Sequence, residues 1–533
     1  MKKRLLLFIS IGMVVLGSSC KKYLDINTNP NTATSATPEV VLPQAIVYTA
    51  ANISSFNSYG SQLVGYAANA GGYGGFGAAV TYNFSNATST GLWTSSYDLL
   101  EDFQYVIQQT DTTADYGYFN AAARIMKVFN FQLLVDTYND VPYKDALKGV
   151  NELTPAYDKA EDIYKDLAIQ LDSAITIIKN TQASQEGSST SNVKDLGSSS
   201  DPMFKGDMEK WKQLANTIKL RLMIRAGSKV TFANTAFDDA GFLTTDAIIN
   251  PGYARDNNRQ NPAWNTWIYS STGSAGNKAW IPTKWILSFY NGTKLDDYRG
   301  YAIYYQFPNT TANQLGYESN SVPSAPAGSA WLSGANAGSD RGSTTAGGSI
   351  GIYKAPSAGE PLLLAAESFL LQAEGVVRGV VTGDAKALFD AGVLASFKYD
   401  YMKPDGTFDL NGWDPQVDYD AYLENNAGSY LVHFDLAATQ PQQIEAIITQ
   451  KYVALNFIHG HEAWNEYRRT HYPAITNGSS DALKTFASTQ SISTRPDRLP
   501  TRLLYPNTES SNNGTNMPKG INPFSSLIFW AAQ

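Results

Sequence analysis

A recurring helical period constrains this chain more than any other feature. Phe119, Ala122, Ile125, Met126, Phe129 and Leu133 fall three and four residues apart, as one buried helix face requires. Ile163, Leu167, Leu171, Ile175 and Ile178 repeat the spacing, after Pro155 and acidic residues suited to a helix start. Leu214, Ile218, Leu222 and Arg225 continue it after Asp207, a good N-cap residue. Further helices are expected at 361–379, 385–399, 442–458 and 481–488, and 97–109 also reads as helix. Strand signals are scarce and short. The expected fold is therefore mainly α, built from antiparallel helix pairs, with a period too irregular to assert a tetratricopeptide array.

The first residues set the compartment. Lys2, Lys3 and Arg4 precede an apolar run from Leu5 to Leu16, broken only by Ser10 and Gly12. Gly17-Ser18-Ser19 then brings small residues up to Cys20, the single cysteine of 533 residues. That layout is a secretory signal peptide, and the run is short for a spanning helix. Cys20 stands where a lipoprotein signal peptidase cuts, although Gly17 replaces the usual leucine. The competing reading is an ordinary signal peptide, or a short anchor, with a chance cysteine. The expected organisation is a signal peptide over 1–19, a lipid-anchored tether and loop over 20–38, and one domain over 39–533.

With Cys20 used for the anchor, the rest of the chain has no disulfide and no cysteine metal site. Stability must come from a large core, which a chain of this length can build. A net charge of −8 without a basic patch argues against nucleic acid. Tyr (32) and Trp (10) are abundant, and Asn, Ser, Thr and Gly fill the loops. Aromatic faces among amides and hydroxyls suit neutral polar rings such as sugars, while burial in the core is the commoner use of any one ring. Long irregular segments at 71–90, 256–285 and 298–353 are the expected binding loops, and the Ser-rich 184–200 is expected to be a floppy excursion.

Several catalytic patterns fail on context. Residues 72–77 match G-x-G-x-x-G, but an Ala-rich stretch stands where a strand is needed. Residues 347–351 match G-x-S-x-G inside a Gly/Ser-rich loop, without the strand-to-helix turn of a nucleophile elbow. His461-Glu462 begins like a zincin, yet Asn465 replaces the second histidine, and His459 lies on another side of a helix. Asp25, Asn27 and Asn29 open like a calcium loop, but Pro30 and Ala36 break it. The carboxylate pairs Glu101–Asp102 and Asp296–Asp297 read as solvated surface rather than a glycosidase pair. No catalysis and no cofactor are expected, and the residues lend no support to a structural calcium.

Four ordered stretches carry a resemblance. They are Cys20 to Asn31 (CKKYLDINTNPN), the helix from Leu362 through Glu367 to Glu374, residues 442–473, and residues 495–513. Within the third, Glu445, Gln450, Lys451, Glu462, Trp464, Arg468 and Arg469 are the recognisable marks; within the last, Arg498, Pro500, Arg502, Tyr505-Pro506, Glu509 and Asn513. Together they resemble the SusD/RagB family of nutrient-binding outer-membrane lipoproteins. Glu462 and Arg468 are expected to form helix–helix ion pairs, and Tyr505-Pro506 to pack the tail.

The resemblance implies a SusD-like fold of tetratricopeptide-like helix pairs carrying long ligand-binding loops. It implies a non-catalytic lid on a SusC-like, TonB-dependent transporter, anchored through Cys20 in the outer membrane and facing the cell exterior. Oligosaccharide is the expected ligand, with a peptide or another nutrient, or a secreted glycoside hydrolase, as alternatives. The candidate ligand contacts are the loop aromatics Tyr73, Phe76, Trp93, Trp264, Trp267, Trp280 and Trp331.

Overall fold

Proline opens the first helix of the computed structural model, which describes residues 36–88, 90–187, 191–326, 328–332 and 350–532. Cys20, the signal peptide, the stretch to Asn31 and the serine of the G-x-S-x-G match lie outside the described residues.

The order begins α1 (Pro38–Leu63), β1 (Ala67–Asn69), α2 (Ala78–Thr81), α3 (Thr90–Thr110) and α4 (Gly117–Tyr138). It continues β2 (Val141–Pro142), β3 (Tyr157–Asp158), α5 (Ala160–Glu186), α6 (Met208–Ala226) and β4 (Ala247–Ile249). Next come α7 (Pro262–Trp267), β5 (Trp280–Pro282), α8 (Lys284–Leu287), α9 (Arg299–Ile303) and β6 (Glu360–Leu363). The last helices are α10 (Ala365–Val377), α11 (Ala385–Tyr401), α12 (Pro415–Asn425), α13 (Gln440–Ala454), α14 (Gly460–Thr470) and α15 (Asn507–Asn512). The strands form three two-stranded antiparallel pairs: β1–β5, β2–β3 and β4–β6.

Cross-helix bonds show that neighbours run antiparallel. Lys127 of α4 reaches Gln104 of α3 while Asn120 reaches Thr110. Tyr118 meets Gln185 at one end of the α4–α5 pair, and Tyr164 meets Asp136 at the other. Lys219 of α6 reaches Asp172 of α5 at 2.7 Å. Asp207 caps α6, accepting from the amides of Glu209 and Lys210 at 3.0 and 3.2 Å. Thr439 and Gln442 form a capping box at the start of α13. One apolar cluster runs from Leu42 to Trp530, and Leu220, Ile224 and Leu371 form a small second one.

The 26-residue α1 has no counterpart in the periodicity reading. Its buried face mixes Leu42, Ile46, Ile53 and Phe56 with Asn52, Ser54, Asn57 and Ser61, so large apolar residues do not mark it out. Asn57 makes that face workable: it donates to the Phe457 carbonyl and accepts from the Gly460 amide, both at 2.8 Å. Gly60 lets α1 press against α14, because a Cβ there would sit 2.1 Å from the His461 nitrogen. Helix α12, capped by Asp414, was also not foreseen.

Three local expectations are corrected. Residues 481–488 form turns, not a helix. Asp481 accepts from the Leu483 amide, the Thr485 hydroxyl from the Ala487 amide, and these side-chain bonds compete with helical ones. The Ser-rich segment is tied down where described. Leu196 is buried, and the Lys194 amide donates to the Asp115 carbonyl at 2.7 Å. The helix expected at 361–379 begins at Ala365, because β6 takes the residues before it to pair with β4.

Candidate functional site

The site begins with Asn69, whose backbone pairs with Trp280 at the end of the β1–β5 ladder. The Ala70 amide prolongs the ladder to the Ala279 carbonyl at 2.8 Å, and the Gly71 amide then turns to Pro323, at 2.9 Å. Only glycine fits at 71: a Cβ would lie 1.9 Å from the Val322 oxygen. The buried Asn69 side chain fastens a third loop. Its Nδ2 donates to the Tyr317 carbonyl and its Oδ1 accepts from the Gly316 amide, both at 2.9 Å. Asn313 Nδ2 adds bonds to the Asn69 and Tyr317 carbonyls at 2.8 and 3.0 Å. Segments 71–77, 277–280 and 313–325 are thereby cross-braced at one edge.

Two tyrosine rings stand out from this edge, Tyr73 at 51% and Tyr317 at 48% exposure. Phe76 is half-buried and meets Trp280 edge-on, with centroids 5.3 Å apart and planes at 76°. Around them Asn277, Ser319, Asn320, Ser321 and Ser324 are exposed. Hydrogen bonds from the Ser319 and Ser321 hydroxyls lower the Tyr317 phenol pKa. The surface thus offers ring faces beside mostly neutral donors and acceptors, with the exposed Glu318 among them, on a braced backbone. Those are the groups a neutral polyhydroxylated ring uses: apolar C–H faces against aromatics, hydroxyls against amides and alcohols.

The other nominated tryptophans lie in the core. Trp331 stacks on Phe457 at 4.0 Å and 6°, and Trp267 meets both rings edge-on. Trp93 is enclosed by Tyr97, Tyr138, Tyr157 and Tyr505. Trp264 is buried beside a cavity of about 20 Å³, room for one water. That cavity also holds Glu360, which burial pushes up to about 7 although Asn261 donates to it at 2.9 Å. Trp280 is buried as well, reached from the loop edge only through Phe76. Burying a large ring is its most favourable use, and Trp93, Trp264, Trp267 and Trp331, at 5% exposure or less, have no free face for a ligand. Tyr317 and Asn313 fall in the 298–353 segment expected to bind but were not singled out, and Asn69 lies just before the 71–90 segment.

The comparisons with known proteins meet this geometry. The sequence model of the SusD-like family described as "Starch-binding associating with outer membrane" matches residues 30–506. This chain belongs to the SusD-like family. Its fold matches a solved chitin-binding protein with 23% identity and a TM-score of 0.63, covering 93% of this chain and 100% of that one. A chitin-binding SusD homologue from Flavobacterium johnsoniae matches with 20% identity and a TM-score of 0.61, covering 92% and 98%. A SusD homologue from Bacteroides fragilis matches with 19% identity and a TM-score of 0.61, covering 94% and 100%. No curated protein matches the chain.

The family marks make structural contacts. In this SusD-like chain Arg225 donates to Asp136 at 2.5 Å, to Glu462, and to Glu466 at 3.2 Å. Lys451 joins Glu462 and Glu466 at 3.1 and 3.2 Å, and Arg469 clasps Glu374 with both arms. Burial pushes the Glu462 carboxyl up, but Arg225 and Lys451 overcome it and hold the group well below its usual range. Glu466, buried but facing Arg469 and Lys451, is drawn down to about 2. Glu462 therefore forms ion pairs as expected, but not with Arg468. Arg468 lies over Trp464 and donates to the Thr501 and Asp136 carbonyls. Tyr505 packs the tail, stacked near Tyr138 with its hydroxyl on the Asp140 carbonyl at 2.7 Å.

The rejected motifs can be placed too. His459 and His461 are buried, His459 against the Pro361 carbonyl and His461 edge-on to Phe56. Asp297 is not surface; it is buried against Arg299. A strand, β1, does precede the 72–77 glycines, but it is three residues long and antiparallel, and the following α2 has four residues. No parallel βαβ unit exists there to hold a dinucleotide. Among the described residues no three His, Cys, Asp or Glu gather as a metal site, and no helix is long and apolar enough to cross a membrane.

Proposed function

We infer that this chain is a cell-surface lipoprotein that captures oligosaccharide and delivers it to a SusC-like, TonB-dependent outer-membrane transporter. The observation that carries the reading is the braced loop edge, where Asn69 fixes the turn bearing Tyr317 beside the loop bearing Tyr73. Rigid rings among neutral polar groups bind sugars with little ordering cost. The family description and the chitin-binding names of two structural relatives support a glycan as ligand. Lipidation of Cys20 supplies the anchor, and outer-membrane association of the family supports its location.

The reading is one of binding without turnover. Asp98 and Asp102 border an open groove, but they lie one helical turn apart on α3 and so share one wall. Glycoside hydrolysis needs two carboxyls flanking the bond.

Growth and uptake test the whole reading. Cells carrying the Tyr73→Ala/Tyr317→Ala chain are expected to take up the cognate glycan more slowly. Cells carrying Cys20→Ala are expected to lose the protease-accessible protein from intact surfaces. Undiminished uptake in the first strain, or a native chain protected on intact cells, contradicts the proposal.

A further inference from the structure

The braced loop edge carries charge that a neutral ligand would leave unused. The chain has a net charge of −8, yet residues 253–284, which lead into the edge, hold Arg255, Arg259, Lys278 and Lys284 against Asp256 alone. Arg255 is engaged with the Ser271 carbonyl at 3.1 Å, and Arg259 faces Asp256 at 3.7 Å. Among the described residues, none bonds or pairs with the side chain of Lys278 or Lys284.

Both lysines belong to the edge. The Lys284 amide donates at 2.9 Å to the carbonyl of Asn313, whose side chain helps to fix the Tyr317 turn. The Ser319 and Ser321 hydroxyls lower the Tyr317 phenol pKa and the charge of Lys284 adds to them, so this exposed ammonium lies within electrostatic reach of the ring. Lys278 stands two residues before Trp280. Strand alternation puts the two side chains on one side, where Trp280 meets Phe76. Glu318 is the only acid in 71–77, 277–284 and 313–325, and no described ion pair joins it to either lysine. An ammonium has three donors and no acceptor, and its strongest bond to a sugar is to an ionised oxygen. The amides and serines of the edge serve neutral hydroxyls, which leaves the two cations for a negative substituent.

We propose that the glycan taken at this edge is acidic, with its rings on Tyr73 and Tyr317 and a carboxylate or sulfate held by Lys284 and Lys278. The inference rests on the reading of the edge as a glycan site and names the class of glycan. A neutral glycan keeps its contacts to the rings, amides and hydroxyls but leaves both lysines to water, so it binds more weakly. Glu318 works against the acidic substituent and limits the gain.

Calorimetric titration of the full-length protein with a galacturonate tetramer, its methyl ester, a sulfated galactose tetramer and its desulfated form tests the proposal. At low salt an acidic oligomer is expected to bind about fivefold or more tightly than its uncharged counterpart, and high salt should shrink the preference. Whichever acidic oligomer shows it identifies the substituent. Lys278→Gln/Lys284→Gln should bring the ratio of acidic to uncharged affinity close to one, and Glu318→Gln should raise it. The proposal is overturned if neither acidic oligomer is preferred, or if the preference survives the double lysine substitution. Binding that depends on Tyr73 and Tyr317 but ignores charge overturns this inference alone. Binding of none of the four, or binding indifferent to Tyr73→Ala/Tyr317→Ala, overturns the glycan reading of the edge and this inference with it.

Discussion

The buried Asn69 side chain donates to the Tyr317 carbonyl at 2.9 Å and accepts from the neighbouring Gly316 amide at the same distance. One side chain from the β1 strand thus substitutes for a missing strand partner and fixes the turn that presents Tyr317. Removing it leaves the buried Gly316 amide without a partner, at about 1–3 kcal/mol, and leaves the Tyr317 carbonyl held by Asn313 alone. Asn69→Ala is expected to lose glycan affinity as Tyr317→Ala does, with an added loss of stability. Titration and denaturant unfolding of the two variants separate those effects.

The rings of the core and of the loop edge are expected to respond oppositely to truncation. Trp93→Ala or Trp264→Ala should cost about 3–5 kcal/mol of unfolding free energy, because each buried ring leaves a cavity. Tyr73→Ala, at half exposure, should change stability little. Urea unfolding curves of the three proteins read the contrast directly.

Arg225 holds three buried carboxylates at once, those of Asp136, Glu462 and Glu466. Arg225→Met should therefore destabilise by about 3–5 kcal/mol, since Asp136 is left buried without a cation and Glu462 and Glu466 are left to Lys451 and Arg469. Calorimetry is expected to show a lowered transition temperature. An unchanged one would mean that Lys451, Arg469 and the Tyr164 and Trp530 donors satisfy the cluster without it.

Two buried glutamates give stability opposite slopes in pH. Glu466 is drawn down to about 2, so its contribution is full above its ordinary 4.5 and is lost as pH falls toward 2. Glu360 is pushed up to about 7, so between 4.5 and 7 the folded chain keeps a proton that the unfolded chain has released. Raising the pH through that window therefore costs stability. Glu360→Gln is expected to flatten the descent between 4.5 and 7 and to leave the acid limb unchanged. Thermal unfolding across a pH series measures both limbs.

The helices most legible in the sequence are those with large apolar residues on one side. Phe119 to Leu133 and Ile163 to Ile178 fall inside α4 and α5, and Asp207 caps α6 as its position suggests. Helix α1 escaped because buried Asn, Ser and Gly dilute its pattern, and their value depends on distant partners such as Phe457 and Gly460. The same limit applies to the site. Composition shows that rings are plentiful, but only packing reveals that Trp331 covers Phe457 while Tyr317 has an open face. Nothing near Asn69 in the chain announces a bond to a residue 248 positions away.

The most direct measurement is calorimetric titration of the full-length protein with a panel of neutral oligosaccharides and oligopeptides, alongside Tyr73→Ala/Tyr317→Ala. At least one oligosaccharide is expected to bind, without cleavage, and the double substitution is expected to weaken it about tenfold or more. Binding confined to peptides, or oligosaccharide binding indifferent to both tyrosines, would contradict glycan capture at this edge.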